Sequence, residues 1–419
     1  MKASFTTAIR YWITASCVSP LRTGGAGNQI DQVLTTANGY AMLQAASIAG
    51  AMKAWDPDLQ LLGSEDDESA LRISDAVFDA SVLSAVRPRL HIDGATGTAA
   101  KGGKFDIACL PTGSSCRFEL LWRGSPEDSK ETYAIAARIE RYLSAIHSCE
   151  ILFGAQKSNG FGRMQLSVRR RIYNMFDAAD LEAWLNDAED GAPLALAEEA
   201  PKKLCFAVSA RSASLLVKAS TGIGSGKDKL DGVQLEENGK PIIPGSSLKG
   251  AIRSHMKRIA PFLGIPQAAL DRLMGRGAKS GTDTGVAGKL YFSDASLRMQ
   301  NPPRKVTRIR INRVTGGTMR KALIAERPVG GEWVWEIELP AQEQAGALLL
   351  LYALRDLGLG MYQLGGTKAI GRGTVDRIAV QITAGEKTAA LLVENGQVSL
   401  QDADGIVAAW EQSMGGDKA

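Results

Sequence analysis

Histidine is nearly missing from this chain. Three histidines among 419 residues cannot furnish much of a metal cage. The five cysteines (Cys17, Cys109, Cys116, Cys149, Cys205) are scattered, with no C-x-x-C pair among them. A zinc site and a disulfide framework are both disfavoured, and a reducing cytoplasm is the expected compartment. Long apolar runs are lacking too. The longest, "AGALLLLYAL" at 345–354, is too short to span a bilayer, so no membrane partner is expected. The opening "MKASFTTAIRYWITASC" has no signal-type apolar core and alternates like a strand. A strong charge of either sign is also absent. At +4, composition alone makes no case for nucleic acid, so the placement of the basic residues has to decide.

What is present is ordinary material for a globular protein, with 45% apolar and 22% charged residues. The length predicts two or three domains. A tandem repeat says how they arise. At an offset of 200 residues, Asp31 lies over Asp231, and the register runs without a gap from Gly24/Gly224 to Lys53/Arg253. Val33/Val233, Asn38/Asn238, Gly39/Gly239, Ser47/Ser247, Gly50/Gly250 and Ala51/Ala251 coincide. A second block pairs "HIDGATGT" from His91 with "RINRVTGG" from Arg310. A third pairs "FGAQKSNGFGRM" (153–164) with "LGGTKAIGRGTV" (364–375), matching Gly154/Gly365, Lys157/Lys368, Gly160/Gly371 and Gly162/Gly373. Three blocks in one order mean duplication of a whole domain.

Within each half the pattern reads strand, loop, helix, strands, helix, glycine-rich loop, strand. This is the order of a ferredoxin-like βαββαβ sheet, the plan RNA-recognition domains share. The fold expected is α+β, with two such domains in tandem. The boundaries expected are 1–176, an acidic linker at 177–203, 204–385, and a carboxy-terminal extension at 386–419.

Four features suggest chemistry. In "PIIPGSSLKGAIR", Ser246 and Ser247 precede a helix, with Lys249 and Arg253 close by. A capped helix N-terminus with nearby cations suits a phosphate, although most Ser-Ser starts are plain caps. The glycine loops, with Lys157, Gly160, Gly162 and Arg163 in one half and Gly365, Gly366, Lys368, Gly371, Arg372 and Gly373 in the other, can cradle phosphates or serve only as turns. "PPRKVTRIRINR" puts Arg308, Arg310 and Asn312 on one strand face, with Arg313 adjacent. With "VRRR" at 168–171 it forms the densest basic footprint. Asp31 and Asp231 each sit in a polar loop beside the helix. Either can bind a divalent cation, position an attacking 2′-hydroxyl, or merely close an Asx-turn.

Taken in order, "PIIPGSSLKGAIR", "RINRVTGGTMRKALIAERPVGGEWVWEIEL" and "QLGGTKAIGRGTV" resemble the signature of the RAMP superfamily, above all the backbone subunit of type III CRISPR effector complexes. Residues 205–385 match closely and 1–175 more loosely, as in fused double-RAMP proteins. The resemblance implies palms stacked along a guide RNA, with thumb hairpins near 85–120 and 300–335 interrupting the guide–target duplex. It further implies target-RNA cleavage by loop aspartates, here Asp31 and Asp231, with a divalent metal, Mg2+ being the expected ion. Partners implied are guide RNA, complementary target RNA and other type III subunits. Two departures stand out. Ala46 and Ala49 replace the corner's serine and lysine in the first half, and Asn312 stands where many relatives carry aspartate, while the first half keeps Asp93. A non-catalytic RNA scaffold is the alternative. A guide-processing endoribonuclease ranks last, because His91, His147 and His255 have no counterparts between the halves.

Overall fold

The computed structural model describes the chain apart from residues 1–4, 25–31, 59, 64–67, 94–95, 97, 198–202, 220–228, 279–282, 303, 321 and 416–419. The chain divides into two compact units. The first comprises Met1–Val86, Asp106–Lys157 and Phe161–Pro201, and the second Arg87–Phe105, Ser158–Gly160 and Lys202–Ala419.

In the first unit the strand Thr7–Cys17 alternates inward and outward residues, so Ile9, Tyr11, Ile13 and Ala15 share one buried face. It lies between Ser115–Gly124 and Met164–Asn174, antiparallel to both, and Ala76–Phe78 pairs with the far side of Ser115–Gly124. The helices Ala45–Trp55 and Ser129–His147 contribute Ile48, Met52, Ile139 and Leu143 to the same core. In chain order the four main strands lie fourth, first, third, second across the sheet, the ferredoxin-like arrangement.

The second unit repeats that order. Lys203–Leu215 lies between Arg377–Ala384 and Val329–Pro340, and Ala295–Gln300 follows Val329–Pro340. Its helices Gly245–Ile259 and Gln344–Gly358 fill the core, and the apolar run of the second is buried from Ala347 to Leu351. The helices Ala45–Trp55 and Gly245–Ile259 begin at the same position of the 200-residue register, as do the strand pairs Met42–Leu43 and Ile242–Ile243 within theirs.

The duplication extends to individual hydrogen bonds. Phe153 N donates to Gly162 O at 2.9 Å, as Leu364 N does to Gly373 O at 2.9 Å; Gly162 N donates to Pro20 O at 2.8 Å, as Gly373 N does to Ser214 O at 2.7 Å. These bonds close each glycine loop onto the end of the first strand. A Cβ at Gly373, whose φ is +76°, would stand 1.8 Å from Leu364 O, and one at Gly162 would stand 2.2 Å from Phe153 O. Gly373→Ala should therefore destabilise the unit by about 2 kcal/mol or more, combining left-handed strain with a backbone clash. Gly371→Ala, with φ +84° but nothing within 4 Å, should lose only the first part. Urea unfolding of the two variants checks the difference, and equal losses would refute the close-packing argument.

Two segments expected at the margins are built into the units. The acidic stretch after Asp177 forms the helix Ala178–Leu185, and Ala192–Leu194 adds an edge strand to Met164–Asn174. Trp184 meets Tyr173 edge-on at 5.3 Å, so this segment is more than a solvated connector. Beyond residue 386, Lys387–Glu394 and Gln397–Gln401 extend the second sheet, and Trp410 of the helix Ile406–Gly415 stacks on Phe206 in the core.

Candidate functional site

Asp231 lies outside both main sheets. The short strand Gly232–Val233 runs parallel to Ile324–Arg327, which returns from the second hairpin beside Val306–Arg308. Leu230, Val233 and Ala325 form a small apolar cluster beneath it. Two backbone-anchored bonds pin the aspartate: its N–H donates to Ala325 O at 2.7 Å, and Ala325 N donates to its Oδ2 at 2.9 Å. Lys229 stands 3.2 Å from Oδ1. The Ala325 N–H first, then Lys229 and Lys218, hold this carboxyl below the usual carboxylate range, so it stays ionised at neutral pH. Asp31 lies outside the described residues.

Next to Asp231 is a carboxylate that sequence reasoning missed. Glu326, fully buried, receives Lys218 at 2.7 Å, Arg308 at 3.2 Å and Arg372 at 2.6 Å. Burial pushes its acidity down, and Lys218 and Arg372 more than reverse that, keeping it charged. Nothing in "ALIAERPV" signals this role, because the three cations come from positions 18 to 108 residues away in the chain.

A second missed pair is legible in hindsight. "ISDA" at 73–76 and "FSDA" at 292–295 recur with the hairpin offset. Asp75 Oδ1 accepts from Ala45 N at 2.7 Å, and Asp294 Oδ1 accepts from Gly245 N at 2.8 Å. Each caps the first helix of its own repeat from outside. This corrects the phosphate-corner expectation. The first N–H of Gly245–Ile259 is already bound to a protein carboxylate, the N-cap residue is Pro244, whose side chain makes no cap bond, and a Cβ at Gly245 would meet Phe292 O at 2.3 Å. Lys249 is 7% exposed and donates to Ser158 O at 3.4 Å, while Arg253 is paired with Asp271 at 3.3 Å.

The basic footprint divides in the same way. In "VRRR", Arg169 donates to Gly191 O, Arg170 pairs with Glu140, and Arg171 pairs with Asp180 and Asp190. The Arg170 and Arg171 charges are thus paired with acids inside the first unit, whereas Arg169 bonds a carbonyl. Arg310 and Arg313 are exposed on the second hairpin. Asn312 Oδ1 accepts from Val314 N at 2.8 Å and caps the hairpin tip, as Asp93 does for Thr96 N at 2.9 Å in the first hairpin. Both tips therefore use the residue as a turn former, which explains why aspartate and asparagine can interchange there. Of the glycine loops, Gly160, Gly162 and Gly373 are buried and structural. Gly365 and Gly366 are half-buried, Gly371, Lys157 and Lys368 are exposed, Arg163 is half-buried, and Arg372 is buried against Glu326.

Two antiparallel sheets of the ferredoxin-like order, each with a glycine loop closed onto its first strand, are now in place. The RAMP superfamily profile matches residues 14–165 and 215–376, well over half of the chain and one stretch in each repeat. The chain belongs to the RAMP superfamily. Among curated proteins, none matches it. RAMP proteins are in general CRISPR-associated and bind RNA, and some are endoribonucleases.

Among the described residues of this RAMP protein, no group of three or more His, Cys, Asp or Glu is placed to hold a metal ion. A metal caged by protein alone does not fit them. A Mg2+ ion that takes one carboxylate and fills its shell with water and phosphate oxygens does fit Asp231, whose side chain is 32% exposed and whose Oδ1 has Lys229 3.2 Å away. No helix among the described residues is long and apolar enough to cross a membrane.

Proposed function

We propose that this RAMP protein is a guide-RNA-binding backbone subunit of a type III CRISPR ribonucleoprotein that cuts complementary target RNA at two positions, set by Asp31 and Asp231. The observation that supports the reading best is Asp231 itself: an ionised carboxylate anchored by the Ala325 N–H, partly exposed, and flanked by Lys218 and Lys229 at the base of a basic hairpin. A carboxylate so placed repels an RNA backbone unless the neighbouring cations hold the phosphate. In that setting it can accept the proton of a target 2′-hydroxyl. The 2′-oxygen then bonds to the adjacent phosphorus, the bond to the 5′-oxygen breaks, and that oxygen takes a proton from water. A divalent cation bound with the RNA supplies further charge neutralisation at the phosphate, and Asp231 is the residue that would hold it.

Exposed hairpin arginines should carry much of the non-specific affinity. Replacing Arg310, Arg313 and Arg320 by Gln should reduce the slope of log K against log salt for single-stranded RNA by about 2, since each phosphate contact contributes roughly 0.7. Titrations at several salt concentrations measure it. A slope unchanged by the triple substitution means that the hairpin does not touch the backbone, and the RNA-binding face must be sought elsewhere.

A further inference from the structure

Glu326 has a burden that the fold alone does not require. A buried carboxylate with one cationic partner would be neutralised; this one has three. Two of them reach the surface, Lys218 at 43% and Arg308 at 34% side-chain exposure, while Arg372 is buried at 6%. Arg308 also keeps an Nε–H without an acceptor among the described residues. The backbone ties this cluster to Asp231. Gly232, next to Asp231, lies opposite Glu326 in the parallel pair, and Ala325, which binds both the main chain and the side chain of Asp231, directly precedes it. The fit at Gly232 is close, since a Cβ there would stand 3.2 Å from both Glu326 Cγ and Lys218 Cε. A carboxylate rigidly coupled to Asp231 thus fixes where two outward-facing cations sit.

We infer that Glu326 is a positioning residue, which holds Lys218 and Arg308 over the target-RNA phosphate at the Asp231 cut, with Arg372 as the buried strut. This rests on the proposed function. Long flexible cations unheld by a carboxylate would still attract RNA, so affinity and cutting separate. Without Glu326 the cluster gains net positive charge, and binding should hold or tighten. The phosphate would no longer be held in place relative to Asp231, and misplacement of that kind costs on the order of 10²-fold in rate.

The test uses the full chain assembled with guide RNA, in three variants: Glu326→Gln, Glu326→Gln combined with Arg372→Gln, and Asp231→Ala. The readouts are the rate of each cut, target affinity and the thermal midpoint. Glu326→Gln should slow the Asp231 cut by about 10²-fold, leave the other cut at its wild-type rate, and keep affinity at or above wild type. The double variant, with its buried charges balanced, should regain the thermal midpoint but not the cut. A wild-type Asp231 cut rate in Glu326→Gln overturns the inference. So does a cut that returns together with the midpoint in the double variant, because Glu326 would then serve stability only. Loss of both cuts and of binding in Glu326→Gln overturns it for the same reason. If Asp231→Ala itself leaves the cut intact, or wild type binds target without cutting, the proposed function falls and this inference with it. If Asp231→Ala abolishes the cut and Glu326→Gln does not, only the inference falls.

Discussion

Asp231→Ala should delete one product from a target-RNA digest and leave the other unchanged. The loss expected for removing a group that orients or deprotonates the attacking hydroxyl is about 10²- to 10⁴-fold at that cut. Binding should survive, because the carboxylate contributes no attraction for a polyanion and the cations around it remain. Asp31→Ala should delete the complementary product, with the two cuts at a fixed spacing along the guide, and the double variant should bind and cut at neither place. Chelating divalent metal should silence both cuts in wild type. Since Ala325 and Lys229 keep Asp231 ionised below the usual carboxylate range, its cut should not weaken as pH falls from 8 to 5 on account of this group. Mapping product ends by sequencing distinguishes the outcomes. Both cuts surviving in the double variant would make the chain a scaffold, and one single variant erasing both would mean that the two sites do not act independently.

Lys249→Met should make the protein more stable at neutral pH, and the advantage should disappear in alkali. Burial, with Arg253 nearby, lowers the Lys249 ammonium from 10.5 to about 8 in the folded chain. Below pH 8 the group is protonated both folded and unfolded, so the native state bears the full cost of a buried charge. Between about 8 and 10.5 the native state sheds the proton while the unfolded chain keeps it, and wild-type stability rises relative to the variant. Above 10.5 the contribution is spent. The difference between the two proteins should therefore change by about 3 kcal/mol across that window. Chemical denaturation at pH 7, 8, 9 and 10.5 reads it directly. A difference independent of pH would mean that Lys249 is solvated, and would reopen the helix corner as a phosphate site.

The duplication, the helix starting at the same register position in each half and the four-strand order were legible in the sequence because each depends on local pattern. Asn38-Gly39 and Asn238-Gly239 turn the chain wherever they occur, and alternation along Thr7–Cys17 or Val329–Pro340 names the buried face without reference to a partner. The loop aspartate stood out for the same reason, as a repeated residue at a repeated place. What the basic residues do could not be read that way. "PGSSLKG" and "VRRR" look alike as charge, yet Lys249 is buried and Arg170 and Arg171 are matched by Glu140, Asp180 and Asp190. Whether a cation meets solvent depends on acids that the sheet brings to it from elsewhere in the chain. The helix corner was decided in the same way by Asp75 and Asp294, carboxylates just before the strands Ala76–Phe78 and Ala295–Gln300 that bind the N–H an external phosphate would have used. Glu326 shows the limit most clearly, because one glutamate in an unremarked strand becomes the centre of a buried charge cluster only when folding gathers Lys218, Arg308 and Arg372 around it. Sequence determined the scaffold and the aspartate; the pairing of buried charges, which is long-range and set by desolvation, was left to the tertiary structure.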